Sequence, residues 1–179
     1  MKRNRKIIAL AITAAFAAVI CVLSPLSIPI GAVPISLSVF AVACVAAVIG
    51  RKSCISVMLY IAIGAVGLPV FAKFAAGAGV ITGATGGYII GYIPLALMIG
   101  AAADSDAKLP ASVLLYAGGL FCCYTLGTAW FMFVTESSLE YALSVCVIPF
   151  IIPDAIKLVA AGAIGTRIRK AVLKHSEKA

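Results

Sequence analysis

From Ile7 to Gly50 the chain carries no charged side chain. Charge-free runs recur from Ser53 to Ala72, from Phe74 to Ala103 and from Leu109 to Thr135. An uncharged apolar stretch of about 18 residues or more reads as a membrane span. Within lipid only helices and closed barrels satisfy their backbone, and these runs show no strand-like alternation, so helices are expected. Composition agrees: 64% of the 179 residues are hydrophobic and 11% charged, against about 45–50% and about 25% in a globular domain. The length suits one integral membrane domain.

Prolines, glycines and charges divide the chain into six spans. The first covers about 7–24, behind Lys2, Arg3, Arg5 and Lys6. It is read as retained rather than as a cleaved leader, because no small-x-small cleavage site appears and more membrane follows. Its Ala11/Ala15 and Ala14/Ala18 spacings form a smooth stripe open to close helix approach. Residues 25–35 hold three prolines and a glycine and break the helix without adding charge. The second span is placed at 36–49 and the third at 54–74, with Gly64, Gly67 and Pro69 loosening its second half. Residues 75–87 carry five glycines and no charge. They make a poor helix and an equally poor solvent loop, which suits backbone folded against a cavity. The Gly-Lys-Ser/Thr ending of a phosphate loop is missing. The fourth span covers 88–103, the fifth 110–134, and the sixth 153–170, with a basic tail over 167–179. Trp130, Phe131 and Phe133 suit an interfacial belt. Residues 141–152 are expected to form a short helix or bent lid.

With six spans, the N-terminus, the 50–53 turn, the 104–109 loop and the tail share one side. They hold every Lys and Arg except Lys73 and Lys157. By the positive-inside rule both termini are cytoplasmic. Topology therefore accounts for the basic excess, and no nucleic acid is implied. The proline-rich loop, the glycine-rich loop and residues 141–152 then gather at the extracellular end, as loops over an outward-facing pocket.

One acidic residue, Asp154, stands inside an apolar run, with Lys157 three positions on. In a helix the two heads share a face. A charge at bilayer depth costs about 2.5–3.5 kcal/mol on insertion scales, so it marks a candidate site. The competing reading is an internal ion pair that only fixes packing. Pro153 fits the first turn of the helix. Six cysteines lie in apolar segments without metal spacing and His175 is in the tail, so no metal or cofactor is expected. One Asp and one or two Lys supply no nucleophile–base pair, which argues against an intramembrane enzyme. There is no ATP motif and no relay of intramembrane carboxylates, so uphill transport would need an energising partner.

Gly64-Ala65-Val66-Gly67-Leu68-Pro69-Val70-Phe71, then Gly83-Ala84-Thr85-Gly86-Gly87-Tyr88 with Gly91, then Pro149-Phe150 and Pro153-Asp154-x-x-Lys157 stand in this order. Together they resemble the BioY family, the biotin-binding S components of energy-coupling factor transporters. Ile30-Gly31-Ala32-Val33-Pro34-Ile35 is similar to that family's first loop. The family usually has Gly-Pro-Thr where this chain has Gly83-Ala84-Thr85, and Thr and Gln where it has Ser36 and Ser38; these substitutions are expected to line the pocket.

The resemblance implies an all-α, six-helix vitamin-capture subunit in a bacterial or archaeal cytoplasmic membrane. It would pair with a transmembrane coupling protein and two ATPases, docking through the small-residue stripe of the first span. It implies no catalysis. The ureido ring of biotin offers two N–H donors and one carbonyl: Asp154 can accept from N–H and Lys157 donate to C=O. Alternatively Lys157 reads the valerate carboxylate, helped by Lys73 or by glycine-loop amides. Thr85, Gly86 and Gly87 are further candidate donors. Tyr88, Phe71 and Tyr60 are candidate apolar walls, each with helix packing as the competing role. Lys73 can equally extend along the membrane surface. An S component for another vitamin and a purely structural subunit are the alternatives.

Overall fold

The computed structural model describes residues 2–28 and 33–176. Ile30, Gly31 and Ala32 of the first-loop resemblance and Lys178 of the tail lie outside them. The fold is nearly all helical: α1 (Lys2–Leu23), α2 (Ser38–Ile49), α3 (Ser53–Ala65), α4 (Ala78–Thr82), α5 (Gly86–Asp104), α6 (Leu109–Thr135), α7 (Leu139–Cys146) and α8 (Ile151–Ser176). Two short strands not expected from the sequence, β1 (Ser27–Ile28) and β2 (Ile35–Ser36), pair antiparallel with Ser27 opposite Ser36.

By length and composition four stretches can cross a membrane: Ser38–Ala65, Gly86–Asp104, Leu109–Thr135 and Leu139–Ala171, with the shorter Ile7–Leu23 beside them. The first of these is two helices. Gly50 has φ +69°, a conformation a side chain rarely adopts. A Cβ there would also collide with the Asp104 carboxylate. The chain reverses at this point, so Ser38 of α2 and Tyr60 of α3 end up lining the same cavity. With α1, α5, α6 and α8, that makes six helices of 12 residues or more among the described residues.

α2 is the axis of the bundle. Its Ala41, Val42, Ala43, Val45, Ala46 and Ala47 are all buried, as expected of a helix that is apolar on every face. It packs against α8, α5 and α1. α1 contributes Thr13, Ala17 and Ile20, whose spacing of four and three puts them on one buried face, and Ser24 just beyond its end is buried too. α5 and α6 form the most extensive helix pair. Small residues make that approach possible: a Cβ on Gly91 would stand 3.0 Å from Cys123 Cα, and one on Gly119 3.3 Å from Leu95 Cα.

α2 has 12 residues and α3 has 13, so each rises only about 18–20 Å, short of the roughly 30 Å hydrocarbon core. Irregular chain completes both at the same end. The third span, expected to run to residue 74, stops at Ala65 because Gly67 takes φ +114° and Pro69 follows. Its terminal carbonyls are capped by the turn itself: Val66 N–H donates to Ala62 O, and Gly77 N–H to Gly64 O at 2.8 Å. The glycine-rich segment is not wholly irregular, since it contains α4. Residues 139–150 form α7 and a 3-10 turn holding Pro149. α8 starts two residues before Pro153 and extends past residue 170 to Ser176.

The opposite end is tied by charge. Asp104 accepts from the Arg51 N–H at 3.0 Å and from Arg169 Nη2 at 3.3 Å, while Arg169 Nη1 donates to Val48 O at 3.1 Å. Arg51, Asp104 and Arg169 thus share one end, with the glycine- and proline-rich segments at the other.

Candidate ligand-binding site

Where α2 and α3 fall short, the bundle encloses a cavity of about 260 Å³. Its floor is apolar and aromatic. Tyr60 and Phe71 meet edge to face, centroids 5.5 Å apart at 85°, a favourable aromatic geometry. Phe71 reaches inward because the strap after α3 folds back, with its N–H donating to Ala75 O at 3.1 Å. Tyr88, Ile89 and Tyr92 line a second side from α5. Tyr88 Oη and Thr128 Oγ1 lie 3.0 Å apart, and Gly127 makes room for the Tyr88 ring.

Two polar walls face this floor. Ser36 and Ser38 form one, joined by a 2.9 Å hydrogen bond between their hydroxyls. α8 supplies the other. Lys157 Nζ donates to Asp154 Oδ1 at 2.8 Å, and Tyr124 Oη donates from α6 to Asp154 Oδ2 at 2.9 Å. Asp154 is 2% exposed and the Lys157 side chain 12%. Each carboxylate oxygen has one protein donor and keeps a lone pair for another.

Lys73 lies at the rim. Its backbone is left-handed, φ +60°, an unusual conformation for a residue with a side chain. The start of β1 and the loop before it hold it there, through Lys73 N–H bonds to Ser27 Oγ at 3.0 Å and Pro25 O at 3.2 Å. Among the described residues the two ion pairs are Lys157–Asp154 and Arg169–Asp104. Lys73 therefore adds an uncompensated positive charge to the cavity. No three His, Cys, Asp or Glu side chains among the described residues come together as a metal site needs.

Of the residues singled out from sequence, Asp154, Lys157, Thr85, Tyr88, Phe71, Tyr60 and Lys73 line this one cavity. Gly86 and Gly87 lie outside its lining. Gly86 packs on Ile81 O and gives its N–H to Gly83 O, and Gly87 packs under Trp130. They serve close packing at the start of α5. Ser36 and Ser38 do line the cavity, whereas Ala84 does not; it packs against Val33, Phe131, Ala142 and Phe150, of which Val33 and Phe150 reach the cavity. Phe131, expected at the interfacial belt, is 4% exposed in that cluster, and Phe133 is 78% exposed. Trp130 Nε1 donates to Gly83 O at 3.0 Å and staples the glycine-rich loop to α6. Tyr124 and Tyr92 were not singled out. Tyrosines inside apolar helices are ordinary packing residues, and no spacing pointed Tyr124 at Asp154.

The chain matches the BioY family over residues 1–174. It belongs to that family. It is 40% identical over 156 residues to the biotin transporter BioY of Thermotoga maritima, covering 87% of this chain and 92% of that one. It is 34% identical over 179 residues to biotin transporter BioY2 of Lactococcus lactis, covering 98% and 97%. A crystal structure of the S-component for biotin from an ECF-type ABC transporter superposes with a TM-score of 0.84 at 28% identity, covering 95% of each chain. The BioY family is one of membrane transport subunits rather than enzymes, and the apolar spans place this member in a membrane.

Proposed function

We propose that this chain captures biotin and carries it inward across the cytoplasmic membrane as the substrate-binding subunit of an ECF-type importer. The observation that carries the reading is the Asp154–Lys157 pair, buried on one wall of a largely apolar cavity. Ligand cavities commonly run from roughly 300 to 1,000 Å³, so about 260 Å³ suits a compact vitamin better than a nucleotide-sized one. The ionic wall offers acceptor and donor side by side. Asp154 accepts from a ureido N–H, and Lys157 donates to the ureido carbonyl. The apolar floor covers the thiophane ring and aliphatic chain.

Charge argues for the orientation of the ligand. Asp154 and Lys157 neutralise each other, and Lys73 leaves the cavity one positive charge in excess. A monoanionic ligand balances it, with its carboxylate toward Lys73 at the rim and its ureido ring toward α8. In the other orientation Lys157 holds the carboxylate, and the ring lies toward Ser36 and Ser38.

The basic end is assigned to the cytoplasm by the positive-inside rule, so the cavity opens outward. Energy comes from a coupling protein with two ATPases. Ala11, Ala14, Ala15 and Ala18 of α1 are exposed and offer the coupling protein a smooth helix face.

The test is equilibrium binding to the detergent-purified chain, with biotin, thiamine and riboflavin compared by calorimetry. Selective biotin binding is expected. A well-folded sample that ignores biotin and takes another vitamin would assign the cavity to that vitamin, with Ser36 and Ser38 as the changed wall.

A further inference from the structure

α6 and α8 scarcely pack against each other, although both border the cavity. α8 lies chiefly on α2, and α6 on α5. Tyr116 reaches toward Gly162 at 3.4 Å or more from the position a Cβ would take. Nearer the cavity, one polar tie joins the two helices among the described residues: the 2.9 Å hydrogen bond from Tyr124 Oη to Asp154 Oδ2. A carboxylate rotates about its last bond unless both oxygens are held. Lys157 holds Oδ1, but it is three residues away on the same helix and moves with it. Among the described residues, Tyr124 alone holds Asp154 from outside α8.

We propose that Tyr124 is a positioning residue for the ligand. It locks the Asp154 carboxylate plane so that one lone pair on each oxygen faces the cavity. This rests on Asp154 contacting the ligand. A phenol at this place is a conditional donor: its O–H keeps the carboxylate in the acceptor role. Without it Oδ2 is a buried, unpaired charged acceptor, an expensive state that turning or water entry relieves. Either escape spoils alignment with a ligand N–H. Lys157 would remain paired to Oδ1, so the ion pair itself survives.

Biotin binding is measured by calorimetry for the full-length purified protein, Tyr124→Phe, Asp154→Asn and the double variant, with melting temperatures in ligand-free detergent. Tyr124→Phe is expected to weaken biotin by about ten- to a hundredfold, since hydrogen bonds to charged groups are worth about 1.5–3 kcal/mol. The second change is expected to add no more than about twofold in the Asp154→Asn background, because both act through one carboxylate. If Asp154→Asn binds too weakly to read, Asp154→Glu serves as the background, its carboxylate displaced by a methylene from Tyr124. Unchanged binding by Tyr124→Phe overturns the proposal, and so do losses that multiply in the double variant. Unchanged binding by Asp154→Asn overturns the Asp154 reading itself, and the Tyr124 proposal with it.

Discussion

Gly64 and Phe71 claim the same space. A Cβ on Gly64 would run into the far edge of the Phe71 ring. That ring forms part of the cavity floor, at right angles to Tyr60. The absence of a side chain in the last turn of α3 is therefore what lets the following strap fold inward. Gly64 O also receives the Gly77 N–H, so both ends of the strap refer to this one residue.

Gly64→Ala is accordingly expected to push Phe71 into the cavity or out of its pairing with Tyr60. Overpacking of this kind costs about 1–3 kcal/mol. The melting temperature should fall, and biotin affinity with it. Gly79→Ala is the matched control, because nothing lies within 4 Å of its Cβ position. A Gly64→Ala protein that melts and binds like the parent would show that the ring has room to step aside.

Asp154→Asn keeps the shape of the side chain and an oxygen for Lys157, but removes the charge. Truncating one partner of a buried charged pair costs about 2–5 kcal/mol in binding, so affinity should drop by at least about thirtyfold. The ligand-free protein should still purify as a monodisperse, helical species. Loss of folding without a separable loss of binding would instead make the pair a packing device.

The Asp154–Lys157 pair was legible because a lone carboxylate in an apolar run needs a partner, and three-residue spacing puts one on the same face. The six spans were legible for a similar reason: uncharged runs separated by basic clusters leave little choice. What the sequence could not show was where the third span stops. Val66, Leu68, Val70 and Phe71 are as apolar as the helix before them, although only Val70 and Phe71 turn into the protein while Val66 and Leu68 stay exposed. Hydropathy cannot tell such a strap from a helix, and only Gly67 and Pro69 hinted at it. Gly86 and Gly87, expected among the ligand donors, lie outside the cavity lining. A glycine freed for close approach looks the same whether it meets a ligand or, as here, Ile81 and Trp130. Tyr124 was invisible because its contact with Asp154 depends on α6 facing α8, a tertiary relation with no local signature.

Lys73 separates the two ligand orientations. If the carboxylate lies at the rim, Lys73→Gln should weaken biotin about tenfold, a difference of about 1.4 kcal/mol. It should leave the affinity for biotin methyl ester unchanged, since the ester has no anion to lose. Calorimetry with both ligands on both proteins gives the comparison. An equal loss for acid and ester would move the carboxylate to Lys157 and leave Lys73 a rim residue. Added salt should weaken binding of the acid to the parent protein, because Lys73 is exposed and screening acts on exposed charges.

The exposed stripe of α1 gives the proposed transport role a test that the cavity cannot give. Thr13, Ala17 and Ile20 face the bundle, so Ala11, Ala14, Ala15 and Ala18 face away from it. Ala15 and Ala18 border a shallow groove with Val19, Val22 and Leu23. A large side chain here meets nothing within the subunit, and the change should be silent in the isolated protein. Ala15→Trp is therefore expected to leave the melting temperature and biotin affinity within error of the parent. In cells that also express the coupling protein and ATPases, it should abolish co-purification with them and reduce biotin uptake by about tenfold or more, since close helix approach depends on small residues. Uptake at the parental rate would place the docking surface on another face of the bundle. Loss of binding in the isolated variant would mean that α1 shapes the cavity through Ser24 and the β1 loop, and that its outer face is not independent of its inner one.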